Sequence, residues 1–324
     1  MKKLFLSLLP LFMACITVMA QGTWQRGEHS FEYTGYKPLA DKPITVYYYI
    51  PSKGDIKTMR VLFAMHGAKR HGSSSVGAWK HFAERDGFVV IAPEYSKENG
   101  WSENDYQRGG MYTNRNNKKL NPPEKWTYNT VEAIFDYFKE GTGSQATQYD
   151  IHGHSAGGQF VHRLVLTLPN ARIRLAVASN PSAWTYPYID GLKDEEGNVY
   201  GWPYSIKGTP FATEEHVKRY LAAPLIIHLG TADTSTTADD LDKQPGAMAQ
   251  GPCRFIRGNT FFKAVTQFVE EMNIPFNWQR VEVENVGHNS RGVIYGKITT
   301  EEGKEVFKID DITTAGAYYL IFKR

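Results

Sequence analysis

Three residue types that together can run acyl-transfer chemistry occur in a useful order along this chain: a serine, a carboxylate and a histidine. The serine is Ser155, within Gly153-His154-Ser155-Ala156-Gly157. This is a G-x-S-x-G arrangement. The run Gln148-Tyr149-Asp150-Ile151-His152 before it reads as a strand, and Gly158 to Leu166 after it carries apolar residues at helical spacing. A serine on a strained strand-to-helix turn has its Oγ pushed out and its own N–H facing the same pocket. Glycines on either side let strand and helix approach that closely.

The carboxylate and histidine follow strand-like runs. Pro224 to Leu229 is an apolar run ending in Gly230-Thr231-Ala232-Asp233. Phe276 to Val283 alternates and leads into Val286-Gly287-His288. His288 is the candidate base for Ser155, and Asp233 the group that orients the imidazole and stabilises its cation. Asp239, Asp240 and Asp242 compete for the acid role. Asp233 alone follows the strand directly, and the other three read as solvated loop charges. Two backbone N–H groups are needed for a developing oxyanion. Ala156, after the nucleophile, supplies one. Ala68, in the His66-Gly67-Ala68 turn after the strand Arg60–Met65, is expected to supply the other.

Met65-His66-Gly67-Ala68, Ala92-Pro93-Glu94-Tyr95, Gly153 to Gly158, Gly230 to Asp233 and Val286-Gly287-His288 together resemble the α/β-hydrolases. Within them the chain is similar to secreted esterases of the poly(3-hydroxybutyrate) depolymerase-like and feruloyl-esterase-like kind. The resemblance spans roughly residues 45 to 290. It implies ester hydrolysis and does not choose the ester. The chain reads as a cofactor-independent, metal-free serine esterase that works through an acyl-enzyme, on a carbohydrate-linked or polyester-like substrate. Many relatives in this group carry disulfides, whereas this chain has two cysteines, Cys15 and Cys253.

Composition bounds the rest. Residues 1–20 begin with Lys2 and Lys3, continue through an apolar stretch and end in Val18-Met19-Ala20. That pattern is a signal peptide and too short for a membrane span. It predicts a secreted or periplasmic protein, with lipidation at Cys15 as the alternative. Cleavage after Ala20 leaves Cys253 alone, with no intramolecular disulfide. The net charge of +3 and the lack of a basic stripe argue against nucleic-acid partners.

The length of 324 residues suits one α/β domain at 21–324. Strands are expected at 43–51, 60–65, 88–92, 148–152, 174–179, 224–229 and 276–283. Helices are expected at 78–85, 128–139, after Ser155 and at 259–272. The fold class is a mostly parallel central sheet flanked by helices, with a loop-rich insertion at about 181–220 over the active site. The tail holds Val306–Ile309 and Ala317–Phe322, expected as edge or hairpin strands.

Aromatic residues cluster in two segments. Trp101, Tyr106 and Tyr112 lie in the loop from Glu94 to about Lys125. Trp184, Tyr186, Tyr188, Trp202 and Tyr204 lie in the insertion. Trp184, Tyr186 and Trp202 are the candidate substrate-stacking residues, packing of the lid being the alternative. Lys69 and Arg70 could attract an anionic substrate, and Arg254 and Arg257 could clamp a carboxylate. His152 and His154 lack the further ligands of a zinc site. A serine peptidase on the same fold, or a binding protein on an inactive hydrolase scaffold, are the competing readings.

Overall fold

The central strands are runs that can be buried on both faces. In β3 (Arg60–Met65) and β4 (Phe88–Glu94) nearly every residue is buried. Successive side chains point to opposite faces: Val61, Phe63 and Met65 join one core, Leu62 and Ala64 the other. Such strands have no polar face for solvent and belong inside a parallel sheet covered by helices. In this computed structural model residues 23–114, 116 and 119–324 are described. The expected signal peptide and Cys15 lie outside them.

The remaining strands are β1 (Gly27–Tyr33), β2 (Ile44–Ile50), β5 (Tyr149–His154), β6 (Ile173–Ser179), β7 (Leu192–Lys193), β8 (Val199–Tyr200), β9 (Leu225–Gly230), β10 (Gln279–Val283), β11 (Thr299–Glu301) and β12 (Lys304–Val306). Eight of the strands form one sheet in the order β1-β2-β4-β3-β5-β6-β9-β10. Within this sheet the pairs β1–β2 and β2–β4 are antiparallel, and every other pair is parallel.

Helices α1 (Gly72–Asp86), α2 (Glu103–Gln107), α3 (Asn129–Thr142), α4 (Ala156–Thr167), α5 (Glu214–Ala222), α6 (Pro245–Met248), α7 (Arg254–Met272), α8 (Ser290–Tyr295) and α9 (Ala317–Phe322) surround the sheet. One face packs on α3, α4 and α7 through Phe135, Phe160 and Phe261. The other packs on α1, α8 and α9 through Trp79, Phe82, Tyr295 and Tyr318. The expected α/β class and mostly parallel sheet are the observed ones.

The tail differs from expectation. Residues 317–322 form helix α9, not a strand. An apolar run as short as Tyr318 to Phe322 has no period that separates strand from helix, so its partners decide. Tyr318 stacks on Phe82 at 4.2 Å and Phe322 on Phe88 at 3.9 Å. Arg60 and Arg174 each donate to the Ile321 carbonyl, at 2.7 and 2.8 Å, satisfying an end that helices otherwise leave open. Strands β11 and β12 form a small hairpin apart from the main sheet.

Candidate active site

The turn at Ser155 is strained. Its backbone sits at φ 60 and ψ −119, a region that costs a non-glycine residue about 1–3 kcal/mol. The Ser155 N–H does not face the pocket as expected: it donates to the Ser179 carbonyl of β6 at 2.9 Å, which pins the turn. A β-carbon at residue 153 would lie 2.3 Å from the Gly157 carbonyl oxygen, and one at residue 157 would lie 2.4 Å from that of Met65. Glycine is therefore obligatory on both sides of the serine.

Asp233 and His288 are brought together by the parallel pair β9–β10, whose C-terminal loops emerge side by side. Asp233 Oδ2 lies 2.7 Å from His288 Nδ1. The Asp233 side chain is buried, with 1 % exposed, while that of His288 is 25 % exposed. The carboxylate accepts from the Nδ1 edge, which leaves Nε2 as the ring edge turned away from Asp233. Nε2 lies 3.5 Å from Asp240 Oδ2. No hydrogen bond joins it to Ser155 among the described residues; catalytic hydrogen bonds are often loose before substrate binds.

Arg254, at the start of α7, ties the acids together. It donates to Asp240 Oδ1 at 2.7 Å and lies 3.7 Å from Asp233 Oδ1. The His154 ring lies tilted against that of His288, with centroids 4.4 Å apart. Burial, reinforced by the neighbouring His288, pushes His154 well below the ordinary histidine range, so it is neutral.

Ser155, His288 and Asp240 line one cavity of about 590 Å³ with Gly67, Ala68 and Lys69. Its far walls are Trp79 and Ser75 of α1 and Arg291 of α8. The turn 66–70 is braced from behind. Tyr95 donates its N–H to His66 Nε2 at 3.2 Å, which leaves Nδ1 to donate to the Gly67 carbonyl at 2.9 Å. Tyr106 stacks on the same ring at 4.1 Å and donates to the His66 carbonyl. Burial pushes His66 down to about 4, so this neutral tautomer persists. With the Gly67 carbonyl turned toward His66, the Ala68 N–H of the same trans peptide points the other way. Ala156 is the first residue of α4, with an N–H free of helical partners.

Solved structures share this fold. Poly(aspartic acid) hydrolase-1 from Sphingomonas sp. KT-1 is 35% identical, over 83% of this chain and 96% of that one, with a TM-score of 0.75. The chain belongs to the α/β-hydrolase family. LpqC, a poly(3-hydroxybutyrate) depolymerase from Bordetella parapertussis, is 29% identical over 83% of this α/β-hydrolase and 86% of its own chain, with a TM-score of 0.74. An S-formylglutathione hydrolase from Agrobacterium tumefaciens, 16% identical with a TM-score of 0.51, shares the fold. No family model and no curated protein matches the sequence.

Several expected site residues of this α/β-hydrolase lie elsewhere. Trp184, Tyr186 and Trp202 are buried and line no part of the Ser155 cavity. Trp184 stacks on Phe261 of α7 at 4.8 Å, Tyr186 meets the same ring edge-on, and Trp202 lies under the Arg163 guanidinium. The insertion holding them contributes no lining residue; it packs against α4 and α7. Trp101, Tyr106 and Tyr112 are buried too, donating to the carbonyls of Pro43, His66 and Gly208. Arg70 is buried and donates to the Tyr95 and Trp101 carbonyls, so of the two loop cations only Lys69 faces solvent. Arg257 is buried, and its guanidinium donates to the Ser182 and Asp242 carbonyls. His152 Nε2 is bonded to Ser179 Oγ, which also bonds His228 Nδ1.

Asp240 and Asp242 are not free loop charges. Asp240 pairs with Arg254, and Asp242 accepts from Tyr204. Asn180 is a site residue with no motif to announce it. Its Oδ1 accepts from the Gly230 N–H at 2.8 Å and its Nδ2 donates to the Gly287 carbonyl at 3.4 Å, so one side chain joins the acid loop to the histidine loop. The Asn180-Pro181 pair signals a turn, but not these bonds.

Proposed function

We propose that this protein is a secreted serine hydrolase that cleaves carboxylic esters through an acyl-enzyme. The observation carrying the reading is the Asp233–His288 hydrogen bond of 2.7 Å beside a strained Ser155, with His288 and Ser155 lining the same cavity. Ser155 Oγ attacks the acyl carbon and its proton passes to Nε2 of His288. Asp233, bonded to Nδ1, stabilises the imidazolium. The N–H groups of Ala156 and Ala68 receive the oxyanion. Nε2 then returns the proton to the departing alkoxide, leaving an ester on Ser155. Water, deprotonated by the same nitrogen, releases the acid and restores the serine. No step needs a metal or a cofactor.

The test is a fluorophosphonate probe read by intact mass, alongside hydrolysis of p-nitrophenyl acetate. The wild type should gain one adduct, on Ser155. Ser155→Ala should take up none and lose several orders of magnitude in turnover. An adduct on another serine, or an active Ser155→Ala, would overturn the assignment.

An amide-cleaving reading is favoured by one comparison. The 35% identical relative is named a poly(aspartic acid) hydrolase, and a polymer of aspartic acid is joined by amide bonds. Exposed Lys69 and Arg291 both line the cavity here and would suit an anionic chain. Turnover of poly(aspartic acid) and of hydroxybutyrate oligomers by one preparation separates the two.

A further inference from the structure

Four side chains close a ring, and two of them, His288 and Asp240, line the cavity. Asp233 Oδ2 holds His288 Nδ1 at 2.7 Å, and Asp240 Oδ2 faces His288 Nε2 at 3.5 Å. Arg254 spans the two acids from behind, 2.7 Å from Asp240 Oδ1 and 3.7 Å from Asp233 Oδ1. His288 thus has a carboxylate at each nitrogen. Only Asp233 meets the edge that carries a proton in the neutral ring. Asp240 meets the edge that must take the proton from Ser155.

We propose that Asp240 is a positioning residue that stabilises the imidazolium form of His288 through Nε2. The inference rests on the reading of Ser155 as nucleophile and His288 as base. Against a neutral ring, the Asp240 oxygen faces a lone pair and gains nothing. Once Nε2 holds the proton from Ser155, the same oxygen faces an N–H of a cation. The interaction therefore strengthens as charge develops, which is the condition for speeding a step rather than merely binding. Asp240 neither gains nor loses a proton. That proton goes from Ser155 Oγ to Nε2 and on to the leaving group.

Asp240 is ionised for this task. Burial raises its carboxyl, but the hydrogen bond and charge of Arg254 outweigh burial and hold it below the ordinary value. The other groups near His288 are the His154 ring, neutral by burial and tilted against it, and Arg254 behind the two acids. Lys69, Arg70, His71 and Arg291 also line the cavity. All four can only carry positive charge, so within the cavity wall Asp240 is the counterweight.

The test is the pH profile of kcat/KM on p-nitrophenyl acetate for wild type, Asp240→Asn, Asp240→Glu and, as a control, Asp239→Asn. Loss of the Asp240 charge disfavours the imidazolium, so the acidic limb of Asp240→Asn should move to lower pH. A carboxylate oxygen 3.5 Å away, on a side chain 43 % exposed, supports a displacement of about half to one unit. The kcat on the plateau should fall about three- to tenfold, with KM within about twofold, as expected for a transition-state interaction. Asp240→Glu should recover part of both effects, and Asp239→Asn should match the wild type. The gap between wild type and Asp240→Asn should narrow in 1 M salt, where the Debye length is about 3 Å. An unmoved limb, or a limb moved upward, overturns the proposal, whatever happens to the melting temperature. If Asp240→Asn does not fold, an unmoved limb in Asp240→Glu together with no salt response of the wild-type limb overturns it. Activity surviving in Ser155→Ala would instead overturn the assignment of the nucleophile.

Discussion

Gly230 and Val286 are in contact so close that a β-carbon on residue 230 would lie 2.3 Å from the Val286 carbonyl oxygen. The acid loop and the histidine loop meet there, and the Ala232 N–H donates to that same carbonyl at 3.0 Å. Gly230→Ala should force the loops apart. A misplacement of about 1 Å at a catalytic pair costs on the order of 10²-fold in rate. The expected outcome is a loss of that order in kcat, with the fluorophosphonate reaction slowed in parallel. A fully active, normally folded Gly230→Ala would show that the loop spacing does not control the pair.

Asp233→Asn should cost about 10⁴ in kcat, because an amide can donate to Nδ1 and hold the wrong tautomer. Asp242, bonded to Tyr204 and not one of the His288 partners Asp233 and Asp240, serves as the comparison. Its change to Asn should lower the melting temperature more than the rate. Steady-state kinetics and thermal melts on both variants check this; a crippling Asp242→Asn beside a mild Asp233→Asn would move the acid role.

Trp184→Ala should act on stability. The side chain is fully buried against Phe261 and His162, and truncation of a buried Trp typically costs about 3–5 kcal/mol. Urea unfolding should register the loss. kcat/KM should change by the same factor for a bulky feruloyl ester and for an acetyl ester. A selective loss on the bulky ester would return Trp184 to the substrate.

Acid should destabilise the fold above the range where carboxylates titrate. Burial pushes His66 and His228 down to about 4 and His152 to about 3, and drives His154 and His162 well below the ordinary value. In the unfolded chain these rings take up protons below about pH 6.5. The folded state does not, so the unfolded state binds more protons and stability falls as pH drops from 6.5 toward 4. Each ring contributes up to about 1–2 kcal/mol of loss at pH 5. Melting temperatures measured from pH 7.5 to 5 should decline steadily; a flat profile would mean that these rings are protonated in the fold.

The chemistry-bearing segments were legible along the chain because each depends on local rules. Glycines at 153 and 157 mark a turn too tight for a β-carbon, and β-branched runs mark strands buried on both faces. Asp233 and His288 follow such strands, so the parallel order of the sheet places their loops together. The class of the fold and the identity of the meeting loops follow from those patterns. What a side chain touches was not legible, since burial is a property of the whole packing. Trp184 and Trp202 carry the same composition whether they stack on a ligand or on Phe261 and Arg163, and only the docking of the insertion on α4 and α7 chose. Ala317 to Phe322 could be strand or helix until Phe82 and Phe88 offered a surface. Asp240 read as one solvated carboxylate among several. Its place beside Nε2 comes from Arg254, which α7 delivers from 14 positions farther along the chain, at a spacing no local rule predicts.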